Sequence, residues 1–214
     1  MSLDDAIRRP AIAASREGFV EQEFHAGRGL RNGDMPPMLP NDVIAFWRDA
    51  GPSRWFAKDA DFDHRFRESF LSAHEAAARG DLDGWQATSD GVLALILLLD
   101  QFPRNAFRGT PRMYASDAKA RQIANAAIAA GHDPRVPIEL RTFVYLPFGH
   151  SENLGDQDRS VALSRQLGEP ALTHSERHRD IVRRFGRFPH RNPILGRNMT
   201  APEQDFLDRG GFAG

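Results

Sequence analysis

The 214-residue chain has no cysteine and only two lysines, Lys58 and Lys119. The first absence excludes disulfides, thiol catalysis, cysteine-bound zinc and iron–sulfur clusters. The second leaves 26 arginines to carry the remaining basic charge. Long apolar runs are also missing. The longest, Val92 to Leu99, has eight residues, whereas a membrane-spanning helix needs about 20. Arg8-Arg9 resembles the start of a twin-arginine signal, but the apolar stretch behind it stops at Ser15-Arg16-Glu17, too early for a signal core. A cytoplasmic location is therefore expected. With a formal charge of −1, a generally cationic nucleic-acid coat and a polybasic membrane binder are both excluded. Neither nucleic acid nor membrane is an expected partner.

What is present is a helical sequence. Hydrophobic residues make up 41% of the chain, enough for a folded core. Residues 1–38 are poor in bulky apolar side chains and read as an extended arm, with one short helix near Arg16 to Phe24. Residues 39–214 read as a single all-helical domain. Asn41 is expected to cap a first helix carrying Val43, Ile44 and Trp47. Asp59 or Asp61 opens the next, where Phe62, Phe66 and Phe70 form one stripe and Asp63 and Arg67 are spaced to pair. Val92–Leu99 is richer in leucine than in β-branched residues, which predicts a buried helix capped by Asp90. Further helices are predicted over about 117–130, 137–146, 152–167 and 170–185, with Ser151 capping the third of these. Thr200-Ala-Pro-Glu203 fits a capping box that starts a last short one. No alternating strand pattern competes, so the fold class is all-α, built from antiparallel helix hairpins in a bundle or stack.

The charge is unevenly distributed. Residues 177–197 hold seven arginines and one acid, Asp180, a local +6 that leaves −7 on the rest. Arginine presents a planar fork of donors that fits carboxylate or phosphate in two-point geometry. The cluster reads either as an anion pocket or as a set of ion pairs tying helices together. Two segments share a pattern: Asp100-Gln-Phe-Pro-Arg-Asn105 and Arg187-Phe-Pro-His-Arg-Asn192. In each, proline is expected to stop a helix and turn the chain, displaying an arginine and an amide. Asp100 ends an apolar run and needs partners. It and Asn105 are read as a structural clamp, with Gln101 and Arg104 left to meet a ligand. His150 precedes a helix entrance and is a candidate acid–base group, as is His190. His174 and His178 are four apart but lack a third ligand, so they read as solvated helix residues and no metal or cofactor is expected.

Trp55-Phe-x-Lys58-Asp59, Leu99-Asp-Gln-Phe-Pro-Arg-Asn105 and Arg184-Phe-Gly-Arg-Phe-Pro-His-Arg-Asn192 together resemble the bacterial family known as domain of unknown function 924. Leu195-Gly-Arg197 and Thr200-x-x-Glu203 fit it too. The resemblance runs from about Asn41 to Leu207. It implies a helical fold similar to tetratricopeptide-repeat proteins and implies no reaction.

The leading functional expectation is a small anionic molecule, or an acidic peptide end, bound in a groove lined by Gln101, Arg104, His150, Arg187, His190, Arg191 and Asn192. Arg191→Ala should then weaken binding with little change in thermal stability. One alternative is a metal-independent hydrolase or lyase using His150 or His190 as general base. Another is a protein-interaction scaffold. Oligomeric state is not legible.

Overall fold

The computed structural model describes residues 38–214, and every regular element among them is helical. The expected arm, apart from Met38, and its short helix lie outside the described residues.

Helix α1 (Pro40–Ala50) starts one residue before the expected cap. The Leu39 N–H donates to Asp42 Oδ2 at 2.8 Å, so the acid at the third helical position closes the first turn and Asn41 is inside it. Pro40 suits the first helical position because its missing N–H has no partner there to lose. Val43, Ile44 and Trp47 face inward. After a short turn of helix, α2 (Pro52–Trp55), comes α3 (Ala60–Arg79). Asp59 Oδ1 accepts the N–H groups of Asp61 and Phe62, and Gly80, with φ 96°, ends the helix in the left-handed region. Phe62, Phe66 and Phe70 are buried against Phe46.

The expected Asp63–Arg67 pair does not form. Asp63 accepts from Asn105 at 2.7 Å and Arg108 at 2.9 Å, while Arg67 donates to the Ala106 carbonyl at 3.2 Å. A neighbouring helix offers both side chains better-placed partners than an exposed i,i+4 contact, which is worth only about 0.3–0.5 kcal/mol.

Helix α4 (Ser89–Ile96) lies at the centre, against α1 and two later helices, α6 (Asp117–Ala129) and α7 (Ile138–Gly149). Its cap is Thr88, whose Oγ1 accepts the Gly91 N–H, rather than Asp90. A π-helical turn over Leu97–Gln101 follows, and then α5 (Phe102–Ala106) without a break. Pro103 therefore does not turn the chain out of the helix as expected. From α6 onward, successive helices are packing neighbours: α6 on α7, α7 on α8 (Leu154–Ser164), and α8 on α9 (Ala171–Phe185).

Asn153, not Ser151, caps α8, its side-chain oxygen accepting the Asp156 N–H. Ser151 Oγ instead donates to Asp156 Oδ2 at 2.6 Å. The last helix, α10 (Ala201–Asp208), has the expected capping box, with Thr200 N and Oγ1 both donating to Glu203 Oε2 at 2.8 Å. A small second core of Ile181, Val182 and Phe188, joined by Phe185 and Phe206, lies apart from the main one.

Candidate functional site

The site begins with Pro103, which has no N–H to give the preceding turn. The helix widens there: the Phe102 N–H reaches back five residues to the Leu97 carbonyl. The next three carbonyls receive side-chain donors. His74 Nδ1 bonds Leu98 O at 2.8 Å, Ser116 Oγ bonds Leu99 O at 2.6 Å, and Arg104 Nη1 bonds Asp100 O at 2.7 Å. Burial lowers the His74 pKa, so the ring is neutral and donates that proton.

This widened turn positions the Asp100 carboxylate, which is wholly buried, at the end of α7. Its Oδ1 lies 2.8 Å from His150 Nδ1 and 3.3 Å from Arg104 Nη1, and its Oδ2 accepts from Gln101 Nε2 at 2.7 Å. Burial would push its pKa up, but Arg104 and His150 hold it well below the usual carboxylate range. Arg104 also grips Asp117 with two parallel hydrogen bonds of 2.8 and 2.9 Å.

The second Phe-Pro segment arrives from the other side. Gly186, with φ 72°, ends α9, and a single 3₁₀ turn, Pro189–Arg191, follows. Arg191 Nη2 donates to the His150 carbonyl at 2.9 Å, and Nη1 lies 3.8 Å from Asp117. Its guanidinium sits 4.5 Å from the Tyr114 ring and 4.6 Å from the Phe188 ring. Glu152 fixes this loop by accepting from the Phe188 N–H and from Arg197 Nη1, with Arg197 Nη2 in ion-pair contact at 2.9 Å.

These contacts set the state of His150. Burial and the charge of Arg104 lower its pKa, and Asp100 opposes them. An ionised carboxylate can only accept, so Nδ1 carries the proton and Nε2 keeps its lone pair. No hydrogen bond among the described residues occupies Nε2. The ring of His178 lies 6.4 Å from that of His150. Burial and His150 bring the His178 pKa down to about 3. Burial and Arg191 bring His190 down to about 4. Tyr114 is kept protonated, its pKa raised by burial against the pull of Arg191 and Arg104.

Of the residues expected to line a pocket, Gln101, Arg104, His150 and Arg191 come together. Gln101 and Arg104 are not free to meet a ligand, however. Both are committed to Asp100, and Arg104 to Asp117 as well, because the buried carboxylates need every nearby donor. Arg187 lies apart. Its Nε and Nη2 bond the two oxygens of Glu203 at 2.6 and 2.9 Å, and Nη2 also bonds Asn198 O. Asn192 is fully buried, its Nδ2 3.5 Å from Met199 Sδ. His190 packs tilted against Phe188 and edge-on to Phe212, with Nδ1 unbonded among the described residues. Asp100 and Asn105 do not form one clamp, since Asn105 serves Asp63 in the α3–α5 corner. Asp117, Tyr114 and His178 were not among the expected site residues. His178 is half-buried against Phe188 and Phe212 rather than solvated.

Fold and site together define an all-helical domain with a buried Asp–His pair flanked by arginines. The chain matches, over residues 43–211, the family described as bacterial protein of unknown function (DUF924), and it belongs to that family. It is also similar to a solved structure of a protein of unknown function from Agrobacterium tumefaciens. The two are 54% identical with a TM-score of 0.79, over 80% of this chain and 97% of that one. No functionally curated protein matches.

Proposed function

We propose that the protein binds a small anionic molecule beside His150 and Arg191 and acts on it by general acid–base catalysis, as a hydrolase or lyase. The observation that carries this reading is the Asp100–His150 hydrogen bond of 2.8 Å with Nε2 left unbonded. A carboxylate on Nδ1 fixes the tautomer and stabilises the imidazolium that forms when Nε2 takes a proton. Depression of the His150 pKa keeps Nε2 available at neutral pH. Arg191 supplies the charge that attracts an anion and stabilises negative charge developing on it. Its Nε is buried and has no hydrogen-bond partner among the described residues. Arg104, bridging Asp100 and Asp117, positions the pair and does not meet the substrate.

Turnover of a panel of small carboxylate esters and phosphomonoesters tests the proposal. An active compound should lose about 100-fold or more in kcat/KM in His150→Gln, the range general-base removal gives. No turnover by the wild type, together with no change in the His150 ring resonances on adding acetate or inorganic phosphate, would sink it.

A further inference from the structure

An open groove of about 550 Å3 runs along α9 and is closed on its far side by Phe206 of α10 and by Phe212. Its α9 wall is one helical face. His174, Arg177, His178, Ile181 and Arg184 are spaced three, four and seven apart, the positions that share a side of a helix. An ordinary packing face at that spacing would be apolar. This one sets two arginines and two histidines around Ile181. Arg177 and Arg184 are exposed, and among the described residues neither has an ion-pair partner. The Arg184 guanidinium lies 4.6 Å from the Phe185 ring and 5.7 Å from the Phe206 ring, and the residue stays exposed. The one acid on the groove, Asp180, is engaged by Arg183 at 3.6 Å and Arg179 at 4.0 Å. The groove therefore offers unneutralised positive charge beside an aromatic and aliphatic wall.

One residue of the groove wall borders the Asp–His pair. His178 forms part of its lining, and its ring is 6.4 Å from that of His150. From His178 to Arg184 is six residues, or about 9 Å along the helix. We infer that this groove is a binding site for a medium-chain carboxylate, with the carboxylate at Arg184, the chain along Ile181, Phe206 and Phe212, and the far end directed at His178. Two features select this class. The separation of cation from the His178 end calls for an elongated molecule, and the rings between them call for an apolar middle. A compact ion such as phosphate satisfies only the arginine. The inference goes beyond the acid–base reading: its carboxylate sits at Arg184 rather than Arg191, and it does not depend on what happens at His150.

Sodium octanoate is the probe, octan-1-ol its uncharged control, and NMR titration of the full chain the measurement. Octanoate should shift the resonances of His178 and of α9 residues 177–185. Arg184→Gln should weaken its binding about tenfold or more, the loss of one charge-assisted pair, and should leave the weaker binding of octan-1-ol unchanged. Because Arg184 is exposed and makes no hydrogen bond or ion pair among the described residues, the variant should keep close to the wild-type melting temperature. Equal affinity for octanoate and octan-1-ol, or undiminished octanoate binding in Arg184→Gln, would overturn the inference. Shifts on α9 from an acidic peptide but none from octanoate would overturn it in favour of a protein partner. His150→Gln should still bind octanoate. Loss of turnover there with binding intact bears on the acid–base reading alone, so failures of the two proposals are separable.

Discussion

Asp100 accepts the Nδ1 proton of His150 at 2.8 Å across fifty residues of chain. The two groups hold each other in opposite charge-bearing readiness: the carboxylate ionised, the imidazole neutral. Asp100→Asn keeps the shape and removes the charge, leaving Arg104 short of one of its two carboxylates. The expected cost is about 3 kcal/mol in denaturant unfolding, as for other broken buried pairs. The His150 pKa should fall further, since Asp100, ahead of Asp117, is the main group that raises it. An unfolding midpoint like that of the wild type would contradict the assignment.

Arg191 is 93% removed from solvent, at 7% exposure, and is wedged between two rings. Arg191→Ala is therefore expected to destabilise the fold by about 2–4 kcal/mol, through lost packing and an unbonded His150 carbonyl. This reverses the expectation from sequence that its removal would spare the melting temperature. Arg191→Lys should recover little, because an ammonium cannot fill a planar slot between Tyr114 and Phe188. Thermal unfolding of both variants decides the matter.

Stability should fall as the solution becomes acidic, and histidines are the cause. The folded pKa values of His178 and His190, about 3 and about 4, lie below the unfolded value of 6.5. Between these limits the unfolded chain binds more protons than the folded one, so stability rises with pH up to about 6.5 and is progressively lost below it. Each such histidine contributes a slope of up to about 1.4 kcal/mol per pH unit. His178→Asn should flatten the melting temperature between pH 4 and 6.5 (about 1.4 kcal/mol per unit at most) relative to the wild type. An unchanged slope would show that the ring is already protonated in the folded state.

Glu203 closes the capping box of α10 and also holds Arg187. Both partners draw its pKa down. Glu203→Gln loosens the two together. Amide exchange across residues 200–208 should rise by about tenfold or more while α4 remains protected, since local opening is set by local contacts. Exchange rising equally in α4 would mean that α10 is part of the main cooperative unit.

Ser116→Ala removes the hydroxyl that bonds the Leu99 carbonyl at 2.6 Å. A buried carbonyl left without a donor costs about 1–3 kcal/mol. Urea unfolding measures that loss.

Much of the helical architecture was legible because its signals are local. The four-residue phenylalanine spacing in α3, the Asp59 and Thr200 caps and the glycine terminators each act within one or two turns. The errors have two origins. Asp63 and Asn105 each have an attractive local partner and a better one from another helix, whereas the caps expected at Asn41, Asp90 and Ser151 fall to residues two positions away. The site was half legible. The repeated Phe-Pro pattern pointed to two segments that do converge, on Asp100 and Arg191. Nothing in the sequence around Asp117 or Tyr114 marks them, since their roles come only from the packing of α6 against the widened turn. The arginine crowding misled in part: Arg187 and Arg197 neutralise Glu203 and Glu152, and only Arg191 reaches His150.

The widened turn at Leu97–Gln101 makes this stretch intolerant of length change. A deletion of one residue there would close the bulge and press Pro103 into a regular ladder, where its ring meets the carbonyl four residues back and its missing N–H leaves a gap. The carbonyls now turned toward His74, Ser116 and Arg104 would be drawn back to the helix axis, and Asp100 would move off His150. The extra residue is thus what lets a proline and a buried carboxylate share one helix.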